Sequence, residues 1–417
     1  MDDRELYRLI ERAGGKILEV GGCVRDALRG VPPKDRDYLV CKLAPEAIIK
    51  LLRPHGRVDV VGQSFGVLKF TPRGETRQID LSLPRREVST GVGHRDFHVD
   101  ADPDLPVEVD LGRRDFTINA IARDCLTGAL IDPFDGAADL AAKRLRMVAP
   151  RAFEEDPLRV LRGAQFAARL ELAVEPATLA AMRAAAHLLP SVSPERVAAE
   201  LVKGLKAARP AAMFRLLHEN GLLAPVLPEL AALGEDAFAH SVATCDLVPY
   251  PEADRVPLRL AAVFHRLAHG ACEELLERGR FTSTGENVDV ARIVHLVREQ
   301  PFACPHDADE RALRHFASRV GPHAAEDVTR LRIGARRASN SDDAPAWDRF
   351  LARLTALLER RPPLTTRDLA VNGRDLIAAG VKPGPQMGQL LHRLLQAVLD
   401  EPARNTRDEL LALALAP

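Results

Sequence analysis

Two hydrophobic periods run along this chain, and the change from one to the other falls near residue 150. Ahead of it, GGKILEVGG (14–22), DRDYLVC (35–41), RVDVVGQSFGVLKFT (57–71) and TRQIDLSLP (76–84) are short apolar runs bounded by turn residues. They predict strands, with VRDALRG (24–30) as a helix between the first two. The stretch RREVSTGVGHRDFHVDADPDLPVEVD (85–110) has little periodicity and many Gly, Asp and Pro residues, so it reads as a long loop. Loops of that length inside a compact domain are usually functional or disordered. Beyond residue 150, DPLRVLRGAQFAARL (156–170), EPATLAAMRAAAHLL (175–189) and PERVAAELVKGLKAA (194–208) carry apolar residues at three- and four-residue steps, as amphipathic helices do. Helical patterning continues almost to the end, broken by Pro and Gly and by the polar stretch RRASNSDDAPA (336–346). The predicted fold class is an α+β head followed by an elongated all-α remainder.

Composition narrows the functional classes. A chain of 417 residues exceeds one ordinary core and predicts at least two or three domains. A net charge of -1 argues against a uniformly basic coat, yet a local basic groove can hold nucleic acid whatever the total. Aromatics make up only 4% of residues, too few for an extended base-stacking ladder. Cys23, Cys41, Cys125, Cys245, Cys272 and Cys304 are scattered without a C-x-x-C pair, which speaks against thiolate metal sites and disulfides and for a reducing compartment. The charged opening MDDRELYRLIERAGG is no signal segment, and no run reaches the ~18 apolar residues of a membrane span. The expected location is the cytoplasm, with no membrane partner.

Candidate chemistry gathers in GGCVRDALRGVPPKDRDYLV (21–40). Asp35 and Asp37 flank Arg36 in an apparent strand, so both carboxylates share one face and Arg36 takes the other. Such a pair calls for a hard divalent cation, and Mg²⁺ favours a few carboxylates plus substrate phosphates. Gly21 and Gly22 precede a helix, where backbone N–H groups can approach phosphate, and Arg25 lies on its first turn. A third acid would complete the site. Asp80 is chosen because it sits mid-strand in what reads as an apolar setting, where a charge needs a partner, with Asp59 as its competitor.

The motifs GGCVRDALRGVPPKDRDYLV, DLGRRDFTINAIA (110–122), DPFDGAADL (132–140), EEDPLRVLRGAQFAAR (154–169) and PERVAAEL (194–201) stand in the order of the five motifs of class II tRNA nucleotidyltransferases. The chain thus resembles the CCA-adding enzymes, which share their head with bacterial poly(A) polymerases. The C-terminal stretch 369–411 also resembles the tail of many of these enzymes, while 210–365 matches loosely. The resemblance implies a polymerase β-like nucleotidyltransferase head (1–145), a nucleotide-recognition neck (146–208), a helical body (209–365) and a tRNA-binding tail (366–417). It implies Asp35 and Asp37 as metal ligands, Gly22 and Arg25 at the triphosphate, and Arg114 in the nucleotide site. It further implies Asp156 and Arg159 reading the base and Arg162 at the triphosphate.

Residues 156, 159 and 162 step by three, so on one helix they share a face. An acceptor beside an arginine fork can select C and A by hydrogen bonding where size cannot, with no template strand. The implied reaction is Mg²⁺-dependent attack of a tRNA 3′-hydroxyl on CTP or ATP, releasing pyrophosphate. Candidate RNA contacts in the body are RLRIGARR (Arg330, Arg332, Arg336, Arg337), for which a solvated helix surface is an equal reading, and Lys382 in VKPGPQMG, at an expected helix start. The stretch 90–105 is of full family length, which favours complete CCA addition.

Two departures stand out. Some relatives carry a further Arg one turn beyond Arg162, where this chain has Gln165, so one cation is missing or supplied elsewhere. Several members also carry a metal-binding phosphohydrolase domain, but in AAVFHRLAHG (261–270) His265 precedes Arg266 instead of an acid, so no hydrolase is expected and His265 and His269 read as a helix-surface pair. Rival readings are an A-only adder, a poly(A) polymerase, and a non-catalytic RNA-binding protein built on a dead head. Oligomeric state is left open.

Overall fold

Asp2 starts the first helix: its carboxylate accepts the Glu5 N–H while the Glu5 side chain accepts the Asp2 N–H, a capping box opening α1 (Asp3–Arg12). The computed structural model describes residues 1–33, 36–61, 67–89, 97–286, 288–302 and 304–416, without the side chains of 87–89 and 97–100. It divides into two compact units, Met1–Pro228 and Glu229–Pro417.

In the first unit α1 leads to β1 (Lys16–Val20), α2 (Gly22–Leu28), β2 (Asp37–Cys41), α3 (Pro45–Leu52), β3 (Gly56–Val61), β4 (Val67–Pro72) and β5 (Ile79–Ser82). With β8 (Ala122–Asp124) and β9 (Leu130–Ile131) these strands form one sheet in the order β3-β4-β5-β2-β1-β8-β9. β2 and β5 run parallel and the other neighbours antiparallel. One face buries Ile17, Tyr38, Val40, Phe70, Ile79 and Leu81 against Leu6, Tyr7 and Ile10 of α1 and Ile48 and Leu52 of α3. The opposite face is covered at the centre, where Leu18, Val20, Leu39 and Cys41 pack with Leu111, Ala120 and Ala122. Over β4 and β5 it is open: burial alternates strictly, leaving Lys69, Asp80 and Ser82 only partly covered. The sheet therefore offers a half-exposed ledge beside a buried centre.

Among its described residues, the stretch expected to be a loop forms regular elements. β6 (Arg85–Ser89) and β7 (Phe97–Ala101) pair antiparallel from Arg85↔Ala101 to Ser89↔Phe97, and α4 (Val107–Gly112) follows. Pairing across the hairpin supplies the backbone bonds that local patterning left unassigned. Residues 90–96 lie outside the described residues.

After α5 (Gly136–Ala141) comes β10 (Arg144–Leu145), then α6 (Ala152–Glu155), α7 (Leu158–Leu170), β11 (Ala173–Val174), α8 (Pro176–Ala184), α9 (Pro194–Leu205) and α10 (Ala211–Glu219). β10 pairs parallel with β11. Phe116 packs on Phe153 and Phe166, and Gly163 of α7 lets Phe116 and Met182 approach to where a Cβ would lie 3.0 and 3.1 Å away. The first unit thus joins the sheet to the first helices by a shared aromatic core.

The second unit is helical among its described residues. Here one expectation fails. His265 ends the helix Arg255–Phe264 and is buried, not a surface residue; only His269 is exposed. Its Nδ1 lies 2.7 Å from the Ala262 carbonyl, its Nε2 is buried without a partner among the described residues, and its ring sits 5.1 Å from that of His240. Burial, ahead of the His240 and arginine charges, pushes its pKa down to about 4, so it stays neutral at pH 7. The long apolar run before it had masked this position. No helix is long and apolar enough to cross a membrane.

Candidate active site

The register of the sheet settles how the candidate acids relate. Asp37 pairs with Asp80 across β2 and β5, Asp80 with Lys69 across β5 and β4, and Lys69 with Asp59 across β4 and β3. These four residues form one row on one face of the sheet. Asp80 is an immediate neighbour of Asp37, at a strand spacing of about 4.8 Å, while Asp59 lies two strands further off. Asp80 does not sit in the apolar setting that the sequence predicts. Its side chain is 43% exposed on the ledge, beside Lys69 Nζ at 3.4 Å, while Ile79 and Leu81 take the core side. Asp59 is occupied by Arg57 at 2.9 Å. Asp35 lies outside the described residues. Arg36 turns to the other face, as alternation requires, and pairs with Asp3 at 2.8 Å and Glu19 at 3.7 Å.

A cleft of about 720 Å³ opens beside Asp37. It is lined by Gly22, Arg25, Arg114, Asp156, Arg159 and Arg162 of the predicted set, which the fold brings together with Asp37; Asp80 is not among its lining residues. Eight arginines and one lysine against three aspartates make its wall strongly cationic. Such a wall in a concave, partly desolvated site attracts polyanions.

Gly21 opens α2 at φ 76°, and a Cβ there would lie 2.5 Å from Arg114 Nη1. Only glycine allows both the left-handed turn and that approach. Arg25 is buried, donates to Asn119 Oδ1 at 2.6 Å and forks onto Asp26 at 2.9 and 3.0 Å. Asn119 passes the contact on to Asp115, which also accepts the Phe116 N–H and the Arg162 Nε at 2.8 Å each. Burial alone would raise the Asp115 pKa, but the Arg162 guanidinium and the Asn119 and Phe116 donors hold it below the ordinary carboxylate range. Arg25 and Arg162 are thereby two ends of one braced chain.

Most of the cations already lean on an acid. Arg113 and Arg114 share Asp110, Arg162 also approaches Glu200 at 3.7 Å, Lys203 holds Glu200 at 2.8 Å, and Arg196 pairs with Asp156 at 2.9 Å. Arg159 reaches Glu155 at 3.5 Å and the carbonyls of Ala152 and Arg113 at 3.2 and 2.6 Å.

Asp156 is not on the helix of Arg159 and Arg162, contrary to the spacing argument. It caps α6 in an extended conformation (φ -139°, ψ 99°), and Pro157 opens α7. The residue before proline is sterically pushed out of the helical region, so Asp156 reaches the cleft from the α6–α7 joint while accepting the Leu158 N–H.

In the second unit, RLRIGARR is internally engaged. Arg330 pairs with Glu326 and Asp327, Arg336 forks onto Asp343 and Arg337 onto Asp348. Arg332 donates to the carbonyls of Gln300 and Phe302. Lys382 is exposed ahead of the helix Gln386–Asp400. Sequence reading singles out none of Asn119, Asp115, Phe166 and Arg196, although all four lie inside the quoted motifs.

Residues 18–146 match the poly(A) polymerase head domain, 171–233 the probable RNA- and SrmB-binding site of polymerase A, and 342–414 the putative domain 2 of tRNA nucleotidyltransferases. A Multifunctional CCA protein of Xanthomonas campestris pv. campestris is 47% identical over 90% of this chain and 96% of its own length. The chain belongs to the tRNA nucleotidyltransferase and poly(A) polymerase family. Another Multifunctional CCA protein, from Xanthomonas axonopodis pv. citri, is 35% identical over 94% of this chain and 99% of its own length. Among solved structures, the Bacillus stearothermophilus CCA-adding enzyme in complex with CTP aligns with a TM-score of 0.76 and 25% identity, covering 99% of this nucleotidyltransferase and 95% of that chain. The Thermotoga maritima CCA-adding enzyme complexed with tRNA_CCA shares the fold at a TM-score of 0.67 and 22% identity, over 100% and 97%. The α+β head and helical remainder expected from the pattern are the fold of this family.

Proposed function

We propose that this nucleotidyltransferase adds C, C and A to the 3′ end of tRNA from CTP and ATP, releasing pyrophosphate, with magnesium as its divalent cation. The observation that carries the reading is the cleft that unites Asp37, Gly22, Arg25 and Arg162 with Asp156 and Arg159.

Hard carboxylate donors side by side suit Mg²⁺, and Asp37 and Asp80 are neighbours in register on an accessible ledge, with Lys69 supplying positive charge beside Asp80. Among the described residues no group of three His, Cys, Asp or Glu is gathered as a metal site; Asp35 lies outside them. Asp35, Asp37 and Asp80 would hold magnesium, which when bound lowers the pKa of the attacking hydroxyl and neutralises charge on the leaving group. The chain's own residues do the rest. Arg25 and Arg162, braced through Asn119 and Asp115, keep guanidinium donors aimed at the triphosphate. Arg114, held close to Gly21 and Asp110, narrows the pocket around the nucleotide. Asp156 and Arg159 offer a carboxylate acceptor and a donor fork to the base edge, standing in for a template.

The six cysteines are free thiols, which supports a reducing, cytoplasmic setting. A division into head, neck, body and tail at 145, 208 and 365 belongs to this same reading.

Purified protein incubated with tRNA ending before CCA, with CTP, ATP and Mg²⁺, is expected to add C-C-A and stop. Asp37→Ala should lower incorporation by roughly 1000-fold or more, the scale of a lost electrostatic contact at the reacting centre, while tRNA affinity holds. Addition of A alone, or of long A tails, would replace the reading by one of its rivals, and incorporation by Asp37→Ala would remove the metal assignment.

A further inference from the structure

Within the cleft one cation stands apart. Arg169, on α7, has no carboxylate within ion-pair reach among the described residues, whereas its neighbours Arg25 and Arg162 are tied to Asp26 and Asp115. It is nevertheless held in place. The Gln165 side chain, itself 1% exposed and one helical turn back, can orient its amide so that the oxygen accepts from Arg169 Nε and Nη1, both at 3.2 Å. Its guanidinium also packs on the Phe166 ring at 5.6 Å from the centroid.

That ring is a hub. Arg25 and Arg162 approach the same ring at 5.3 and 5.2 Å. Three guanidiniums around one aromatic ring gain some attraction from its quadrupole, yet keep their full charge, because a ring neutralises nothing. Crowding three like charges in a partly buried place costs free energy unless an anion joins them. The environment registers that cost: burial first, and the Arg25 charge second, hold the Arg169 pKa below the ordinary arginine value.

Arg169 is positioned by a neutral amide and a ring, and is left with donors to spare. Gln165 accounts for both halves of the arrangement. An arginine at 165 could not accept from Arg169 and would add a fourth charge, whereas glutamine lends an acceptor without consuming the charge.

We propose that Arg169, oriented by Gln165 and Phe166, is a substrate-binding residue for the terminal phosphates of the incoming nucleotide and for the pyrophosphate released from it. The inference rests on the reading of the cleft as a nucleoside triphosphate site. Gln165 is a positioning residue. The base-reading pair, Asp156 and Arg159, stays separate from this subsite, so Arg169 serves CTP and ATP alike.

Steady-state incorporation with Arg169→Gln, Arg169→Lys and Gln165→Leu tests this, alongside inhibition and calorimetric binding of inorganic pyrophosphate with Mg²⁺ and thermal unfolding of each variant. Loss of a charge-assisted contact predicts that Arg169→Gln raises KM for both nucleotides, and weakens pyrophosphate, by roughly tenfold or more. The CTP-to-ATP preference should hold, and the melting temperature should stay level or rise, since a partly buried cation crowded by Arg25 and Arg162 is removed. Arg169→Lys should recover part of the loss, and Gln165→Leu should give a smaller rise in KM of the same kind. Unchanged KM and pyrophosphate binding in Arg169→Gln, or a fall in kcat together with a lowered melting temperature, would overturn the assignment. A Gln165→Leu variant with wild-type KM would overturn the positioning role. Wild-type protein that binds pyrophosphate through Arg169 but adds neither C nor A would sink the tRNA reading alone; active wild type with an indifferent Arg169→Gln would sink this inference alone.

Discussion

As strings, RVLRGAQFAAR in α7 and RLRIGARR in the helix Ala325–Ala338 look like the same device: several arginines within a few helical turns, around a glycine and small apolar residues. In the fold they do opposite things. Arg159, Arg162 and Arg169 face a cleft of about 720 Å³ that holds far more positive than negative side chains. Arg330, Arg336 and Arg337 each meet aspartate or glutamate in their own unit, and Asp343, forked by Arg336, is held down to a pKa of about 2. Arginine density therefore does not mark a phosphate site. What sets the proposed phosphate site apart is charge left over once internal acids have taken their share, gathered in a concave wall where water is scarce. Glycine differs likewise: Gly163 admits Phe116 and Met182, whereas Gly334 admits the Val248 backbone at 2.9 Å.

The strongest way to break this comparison is Arg162→Ala. It removes the triphosphate contact proposed for Arg162 and strips the buried Asp115 of its main counter-charge, so kcat/KM should fall by roughly 100-fold. Unfolding in urea should be easier by about 3 kcal/mol, the scale of leaving one member of a buried pair. Asp115 adds a pH signature. Its folded pKa is below the unfolded value of about 3.9, so its stabilisation is present above that pH and is lost as pH falls through the folded pKa. In Arg162→Ala the folded pKa rises, and the acid midpoint of unfolding should move to higher pH. An unmoved midpoint would show that Arg162 does not hold Asp115.

A smaller effect sharpens the division within the cleft. Arg159→Ala should reduce discrimination of CTP and ATP against UTP and GTP by roughly tenfold, read from competing incorporation, because the proposed hydrogen-bonding selector is lost. Unchanged selectivity would leave base reading to other residues. Smallest of all is Arg337→Ala. Its pair with Asp348 is exposed on both sides, so stability should shift by less than about 1 kcal/mol and nucleotide KM should not move. An incorporation defect in Arg337→Ala as large as that of Arg162→Ala would erase the distinction between the two helices.

Much of the site was legible because several residues are close in sequence. Gly22 and Arg25 sit on one short helix, Asp37 opens a strand, and Arg159 and Arg162 step by three along α7. The rest depended on partners far along the chain. That Asp80, and not Asp59, is the neighbour of Asp37 follows from the register of β2 with β5, which no local pattern contains. Asn119 and Asp115 look like ordinary polar residues until the fold sets Arg25, 94 positions away, and Arg162, 47 away, against them. Asp156 lies ahead of α7 and not on it, because of what proline does to its predecessor, which spacing by three ignores. The sequence makes His265 look like a surface residue because helical periodicity does not say whether a helix is covered on every side.

Read alone, the amino-acid sequence determined the element types, the carboxylate and arginine motifs and the family they resemble, since these depend on neighbours within a few residues. Tertiary structure decided which acids share a row, which arginines remain available after internal pairing, and where Gln165 sends its oxygen. Those outcomes turn on pairings between distant segments and on burial, and both come into being only when the sheet, α7 and α9 close on one another.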